Sequence, residues 1–445
     1  MPNTKITLVG GGSVGWTPKV ACNIMNNAYL NGAHVVLYDL SPAALDLTYR
    51  LICKYKDLSA TTTTFEQTTD RAAALDGASV VVVTITTGGL NAMKHDLAIP
   101  EKYGIFHTVG DTVGPAGLSR NLRNIPVFLD LGRAMEIHCP DAWMINCSNP
   151  LSALTRVVNR ETSIPAIGFC YGVPSVAGDY ARFFNMEMSA CAYVNTGIDH
   201  CSWFTHFIAD GRSVQERLIE KGLDAWLALP PEEAELDPTF GDLYAFRCGL
   251  TLGRQLNALP AIGDRHMVEF FPTFINGLEN VRKYGLTRTS VAQREKNAAA
   301  ARTHVERLLS GADDLQLPES SHDVAAWIAA LNGGPTVEDN LSAPNIGQIA
   351  QLPANAVVET RGLLDATGFR PLVSPMPEPL EAVIRPHVLR DELAVEAALE
   401  GSFEKALAAL TTDALVGNGD IARPMLEELI AANRAWLPQF SRKVS

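Results

Sequence analysis

Gly10-Gly11-Gly12-Ser13-Val14-Gly15 stands directly after the apolar run Lys5 to Val9 and directly before a helical stretch, and no other feature constrains the fold as much. Strand, glycine-rich turn and helix in that order open a βαβ unit. The first glycine allows the tight turn, the second lets a pyrophosphate approach the backbone, and the third is expected to permit close helix packing. The phosphates would rest against the helix N-terminus. A second strand, His34 to Tyr38, ends at Asp39. A carboxylate there accepts hydrogen bonds from the adenosine ribose hydroxyls and repels a 2′-phosphate, which predicts NAD rather than NADP. The expected cofactor residues are Gly10, Gly12, Ser13, Val14, Gly15 and Asp39, with Thr86 beyond the third strand. Glycines serving a tight turn alone are the simpler alternative, but that leaves the strand, the helix and Asp39 unexplained.

Further strands are read at Ser79 to Thr84, Ala142 to Ile145 and Ala166 to Phe169, each followed closely by Gly, Asn or Asp. Short β-branched runs alternating with helices make a parallel sheet covered on both faces. The expected fold is therefore α/β, a Rossmann-type doubly wound parallel sheet over residues 1–190. A mixed α+β domain follows over 191–445, for substrate and oligomerisation, in the arrangement of lactate and malate dehydrogenases. Ligands of such sheets bind beyond the carboxyl ends of the strands, so the residues just after each strand come first for scrutiny. In the second half, Arg212 to Leu229 and Thr289 to Leu309 read as helices, Ala356 to Glu359 as a strand, and the region from Arg385 onward as Ala-rich helices.

The 445 residues exceed the size at which single cores stop growing, about 250 to 300 residues. A net charge of -13 with 36 scattered basic residues argues against a nucleic-acid surface. An anionic substrate stays open, through one local pocket. No apolar run reaches the ~18 residues needed to cross a bilayer, and no charged-then-apolar leader precedes Lys5, so no membrane partner and a cytoplasmic location are expected. Eight cysteines without a CxxC pair fit reduced thiols.

Several later segments resemble glycoside hydrolase family 4, a group of NAD- and metal-dependent glycosidases. They are Val109-Gly110-Asp111-Thr112-Val113-Gly114-Pro115-Ala116-Gly117, Cys147-Ser148-Asn149-Pro150, Gly168-Phe169-Cys170-Tyr171-Gly172-Val173-Pro174 and Gly197-Ile198-Asp199-His200-Cys201-Ser202-Trp203, together with Asn340 to Asp365. The resemblance implies that Cys170 and His200 hold a divalent metal, usually manganese, although a core thiol and a solvated imidazole is the simpler reading of the two residues alone. Tyr171 stands where many members carry His, Asp or Asn, so the general acid is open between Tyr171 and Asp111. No Arg occurs in Thr84 to Gly89, where phosphosugar-specific members carry one, which argues against a 6-phosphate substrate.

Gly263-Asp264-Arg265-His266 resembles the region that supplies the base. It makes Asp264, or a nearby Tyr, the residue that removes a proton, Arg265 a partner for an anion on the sugar, and His266 an orienter or shuttle. An Arg, Asp and His crowded together also make an ordinary ion-pair cluster. Asn149 would hold sugar hydroxyls. The implied chemistry is oxidation at C3 by NAD, proton abstraction at C2, elimination of the aglycone, water addition and return of the hydride, outside the usual two-carboxylate scheme. Anionic hexosides such as a sulfoquinovoside or a hexuronide are the expected substrates. A related NAD-dependent sulfoquinovosidase family is also similar, and in that branch the metal could be absent. A homodimer or homotetramer is expected. The competing readings are a sugar or hydroxyacid dehydrogenase that releases NADH, and a non-catalytic NAD-binding protein.

Overall fold

Four consecutive valines, Val80 to Val83, are wholly buried, as a central parallel strand covered on both faces must be. The computed structural model, which describes residues 4–318 and 323–440, places them in the middle of a nine-stranded sheet. Its parallel strands are β1 (Lys5–Val9), β2 (His34–Tyr38), β3 (Thr64–Thr68), β4 (Val80–Val83), β5 (Trp143–Asn146) and β6 (Ala166–Gly168). Their spatial order is β3-β2-β1-β4-β5-β6, the doubly wound order with its switch point between β1 and β4. The five strands expected from sequence are all present. β3 is the addition: it lies at the sheet edge with no residue fully buried, so it lacks the apolar run that marks the others.

The smaller sheet contains β7 (Cys191–Ile198), β8 (Cys201–Ala209), β9 (Arg212–Ser213) and β10 (Leu259–Pro260), all antiparallel. Under it lies an aromatic core that includes Tyr180, Tyr193, Trp203, Phe204 and Phe207. The chain then returns to the first sheet. β11 (Val337–Pro344), β12 (Val357–Asp365) and β13 (Gly368–Pro371) add antiparallel strands beside β6, with Ser342 of β11 opposite Gly168. Only the start of β12 carries a legible strand signal, because β11 alternates weakly and β13 is four residues long.

The single helix expected over 212–229 is instead the short strand β9 and two helices, Val214–Glu220 and Leu223–Leu227. Gly222 between them sits at φ 103°, a left-handed conformation that ends the first helix. The helix expected over 289–309 runs over Val291–Ser310, with the Ser290 hydroxyl accepting the Gln293 amide (3.1 Å) at its start. Helices Glu378–Glu400, Phe403–Thr411 and Gly419–Ala432 close the chain. Among the described residues, no helix is long and apolar enough to cross a membrane.

Candidate active site

The glycine-rich loop leaves β1 at the sheet's carboxyl edge. Gly10 has φ +92°, and a Cβ there would lie 2.2 Å from the Thr84 carbonyl oxygen, so only glycine fits. A Cβ on Gly12 would fall 2.9 Å from Asp39 Oδ2, the atom that accepts the Gly12 amide at 2.9 Å. Asp39 Oδ1 accepts the Ser41 amide, so the carboxylate is fixed at the end of β2. Ser13 turns the loop by donating its amide to the Gly10 carbonyl (3.0 Å). The Val14 and Gly15 amides have no hydrogen-bond partner among the described residues, and the helix Thr17–Asn26 begins just beyond them. That is the arrangement an anion needs at a helix start. Gly15 corrects one expectation: a Cβ there would meet nothing within 4 Å, so helix packing does not require this glycine. Thr86 is exposed in the loop after β4.

From Trp16, at the end of this loop, a cleft of about 450 Å³ runs past Asn149, Cys170 and Tyr171 to His200 and His266. Cys170 follows β6, and Tyr171 stands immediately before the helix Gly172–Phe183. Asp199 and His200 form the two-residue turn between β7 and β8, where Ile198 faces Cys201. His200 has φ 62°, uncommon for a residue other than glycine. Turn tips are ordinarily solvated. This one is not, since Asp199 is 1% exposed and His200 6%. Ligand atoms of Cys170, Asp199 and His200 all lie within 4.8 Å of one another, and so do those of Asp111, His200 and His266. Both sets could hold a cation.

Burial raises the Cys170 thiol well above its ordinary range, with Asp199 and Glu359 adding to it. Burial likewise pushes Asp199 up to about 7, and neither of its oxygens has a hydrogen-bond partner. His200 Nδ1 lies 2.7 Å from Thr112 Oγ1, 3.6 Å from Asp199 Oδ2 and 4.0 Å from Asp111 Oδ1. Asn149 Nδ2 donates to Asp111 Oδ2 at 3.5 Å, and Arg120 Nε donates to the Asn149 carbonyl at 3.0 Å. Burial acts to raise Asp111, but His200, His266 and Arg120 outweigh it and hold this carboxyl at about 2. Through the neutral range Asp111 is thus an acceptor and has no proton to donate.

The loop carrying Asp111 is anchored by Glu269, a buried carboxylate that accepts the Val109 (2.7 Å) and Gly110 (2.9 Å) amides. The members of the 264–266 run diverge. Asp264 directs its carboxylate at the Cys248 (2.7 Å) and Gly249 (2.8 Å) amides in the first turn of the helix Arg247–Leu256, and it does not line the cleft. Burial pushes it up to about 7. Arg265 is exposed and donates to the Thr289 hydroxyl, also away from the cleft lining. His266 alone faces the cleft. Its ring centroid lies 3.9 Å from that of His200, and its buried Nδ1 has no hydrogen-bond partner.

A sequence profile described as a family 4 glycosyl hydrolase matches residues 5–186, and one described as the C-terminal domain of that family matches residues 195–416. The chain belongs to family 4 of the glycosyl hydrolases. It is 30% identical to an α-galacturonidase of Thermoanaerobacterium saccharolyticum, over 97% of this chain and 96% of that protein. The crystal structure of a putative glucosidase of Bacillus subtilis superposes with a TM-score of 0.86 at 26% identity, covering 96% of this chain and 100% of the other. The Thermotoga maritima 6-phospho-β-glucosidase, solved with manganese, NAD+ and glucose-6-phosphate, shares the fold at a TM-score of 0.79 and 20% identity, over 97% and 99% of the two chains.

In this family 4 glycosidase, several residues of the site escape a reading by motif. Asp199 sits inside a recognised motif, yet only its burial without a partner distinguishes it from a turn-capping aspartate. Glu269 lies three residues after His266, and its role depends on amides some 160 positions earlier, for which the sequence carries no signal. Arg120 is one helical turn before Arg123, and nothing in the pattern separates the arginine that holds the Asn149 carbonyl from the one that pairs with Asp96.

Proposed function

We propose that this glycosidase uses NAD and a divalent cation, manganese for preference, to cleave an anionic hexoside, with a hexuronide as the favoured substrate. One observation carries the reading: the Cys170–His200 donor pair lines a cleft that reaches Trp16, at the end of a glycine-rich loop whose Val14 and Gly15 amides are unpartnered among the described residues. Thiol, imidazole and an orphaned buried carboxylate suit a divalent cation, and an open fourth position suits a catalytic one. When bound, the dinucleotide supplies reversible hydride acceptance at a sugar carbon and the cation supplies Lewis acidity toward sugar oxygens.

The chain's own residues do the rest. The Val14 and Gly15 amides receive the pyrophosphate, and Asp39 is set to accept a ribose hydroxyl. Asn149, fixed by Arg120 and by Asn124 Nδ2 (3.2 Å), orients sugar hydroxyls beside the ionised Asp111. For proton transfer, the cleft-facing pair is His266 and Tyr171, with His266 taking the proton and Tyr171 returning one to the leaving group. Asp264 has the proton affinity of a base, but its carboxylate is committed to the helix, so its part is to position His266.

A hexuronide is favoured by the similarity to an α-galacturonidase and by the lack of Arg in the Thr84–Gly89 segment; a sulfoquinovoside shares the anionic C6 group. The same reading includes a cytoplasmic homodimer or homotetramer. Ile346 (72% exposed) and Val373 (74%) support self-association, on loops joined by the Ser374 amide and the Gln348 carbonyl, and light scattering tests it. The deciding experiment is a panel of aryl hexosides bearing carboxylate, sulfonate, phosphate or hydroxymethyl at C6, assayed with NAD and Mn2+. The expected result is aglycone release from the carboxylate member without stoichiometric NADH. Stoichiometric NADH without aglycone would instead indicate a dehydrogenase.

A further inference from the structure

A buried carboxylate with nothing to accept is costly, by several kcal/mol for an ion left unpaired, and a protein retains one where something absent from the bare chain offsets it. Asp199 is such a group. It occupies a hairpin turn of two residues, yet the turn is folded inward, neither carboxylate oxygen has a hydrogen-bond partner, and its one ion-pair contact is the His200 imidazole, with Nδ1 at 3.6 Å from Oδ2. The titratable groups around it are Cys170, Asp111, His200, His266, Glu359 and Asp391. None of these is a Lys or Arg. Glu359, itself buried with Oε2 unpartnered, comes from β12 and packs more acid behind the same spot. Four acidic groups and a thiol thus gather around two imidazoles; Arg120 acts on Asp111 and Arg390 on Asp391, and neither arginine is paired with Asp199.

We infer that Asp199 is a third protein ligand, which with Cys170 and His200 makes a cradle able to hold one divalent cation before any sugar arrives. The inference rests on the metal dependence proposed above. It goes further in making the site independent of substrate: with thiolate, carboxylate and imidazole from the chain, sugar oxygens are left to fill open positions and are not needed to retain the ion. The positive φ of His200 belongs to the same device, since it turns the imidazole and the preceding carboxylate toward a common point.

The test is Mn2+ binding to the metal-stripped full chain without sugar, followed by loss of the free-ion electron paramagnetic resonance signal and by calorimetry. The proteins compared are the wild type, D199N, D199A and C170S, each checked for folding by circular dichroism. The wild type is expected to bind one equivalent, and D199N to bind at least about tenfold more weakly. A second readout guards against a folding artefact. D199N removes an orphaned charge, so the metal-free variant should melt no lower than the metal-free wild type, while its Mn2+-induced rise in Tm should be smaller. If D199N binds Mn2+ within twofold of wild type while C170S loses it, Asp199 is no ligand and the two-ligand reading stands. If the wild type binds none without sugar but binds with a substrate analogue, the preformed cradle is overturned and metal dependence survives. If it binds none in either case, both fall.

Discussion

His266 Nδ1 lies 3.9 Å from Asp111 Oδ1, and their proton affinities decide what each can do. Burial, with His200 beside it, lowers His266 to about 4, while Asp111 works in the opposite direction. Above about pH 4 the imidazole is therefore neutral and can accept a proton, and below it that capacity is lost. On the proposed scheme, kcat/KM should fall as pH drops through about 4, and not near the ordinary histidine value. D111N removes a charge that favours the imidazolium, so its acid limb should move to lower pH. A pH–rate profile on an aryl hexuronide, with recovery at neutral pH as the control for folding, reads both, and an acid limb unchanged in H266A would remove His266 from the mechanism. At this scale the sequence marks Asn149 and Cys170 because they follow β5 and β6 at the sheet's ligand edge, whereas Asp111, in the loop before the helix Gly114–His138, and His200, in the β7–β8 turn, stand out only through motif resemblance. The motifs could not reveal that Asp199 is orphaned or that Glu269 is bound to two amides, since those facts depend on which distant atoms arrive beside them.

Elements explain why Asp264 looks catalytic in sequence and structural in space. The helix Arg247–Leu256 has no cap from its own N-cap residue, Phe246, and Asp264 supplies the missing acceptor from across the fold. D264A leaves both amides without that acceptor and should cost about 1–2 kcal/mol in urea unfolding, with D264N costing less. The pH dependence has a definite sign. Burial raises this carboxyl from 3.8 to about 7 in the folded state, so between those values the folded protein holds a proton the unfolded chain has released. Stability from this group therefore falls as pH rises from about 4 to about 7, by at most about 1.4 kcal/mol per pH unit. The wild-type-minus-D264N difference should slope downward across that window and flatten on either side. A helix capped by a residue beyond its own C-terminus has no local sequence signature. The Ser290 cap of Val291–Ser310, by contrast, is local, although the helix was read as starting at Thr289, one residue before it.

The whole molecule is tied together by contacts between ends of the chain. β11 to β13, from beyond residue 330, extend the sheet that Lys5 begins, and the C-terminal region grips the first half through one buried clasp. Arg123 Nη1 and Nη2 donate to the two oxygens of Asp96 at 2.8 and 2.7 Å, with both side chains 1% exposed. Arg123 also donates to Ser119 Oγ (2.9 Å), and Asn433 Nδ2, just past the last long helix, donates to that same Ser119 oxygen (3.2 Å). Gln439 Nε2 adds a bond to the Leu122 carbonyl (2.7 Å). Five of the six parallel strands were legible because buried parallel strands advertise themselves as apolar runs, and the edge strand β3 was not. The clasp was not, because Asp96 and Asn433 are 337 positions apart and each reads alone as an ordinary polar residue. A buried ion pair is worth little against an apolar replacement, yet removing one partner strands the other. R123A should therefore cost about 3–5 kcal/mol in urea unfolding, while R123M combined with D96L should recover most of that loss. Because the clasp and the shared sheet join both halves, fluorescence changes from Trp143 and Trp226 should coincide in one transition. Separate transitions in the wild type would show that the halves unfold independently and that the clasp carries no coupling between them.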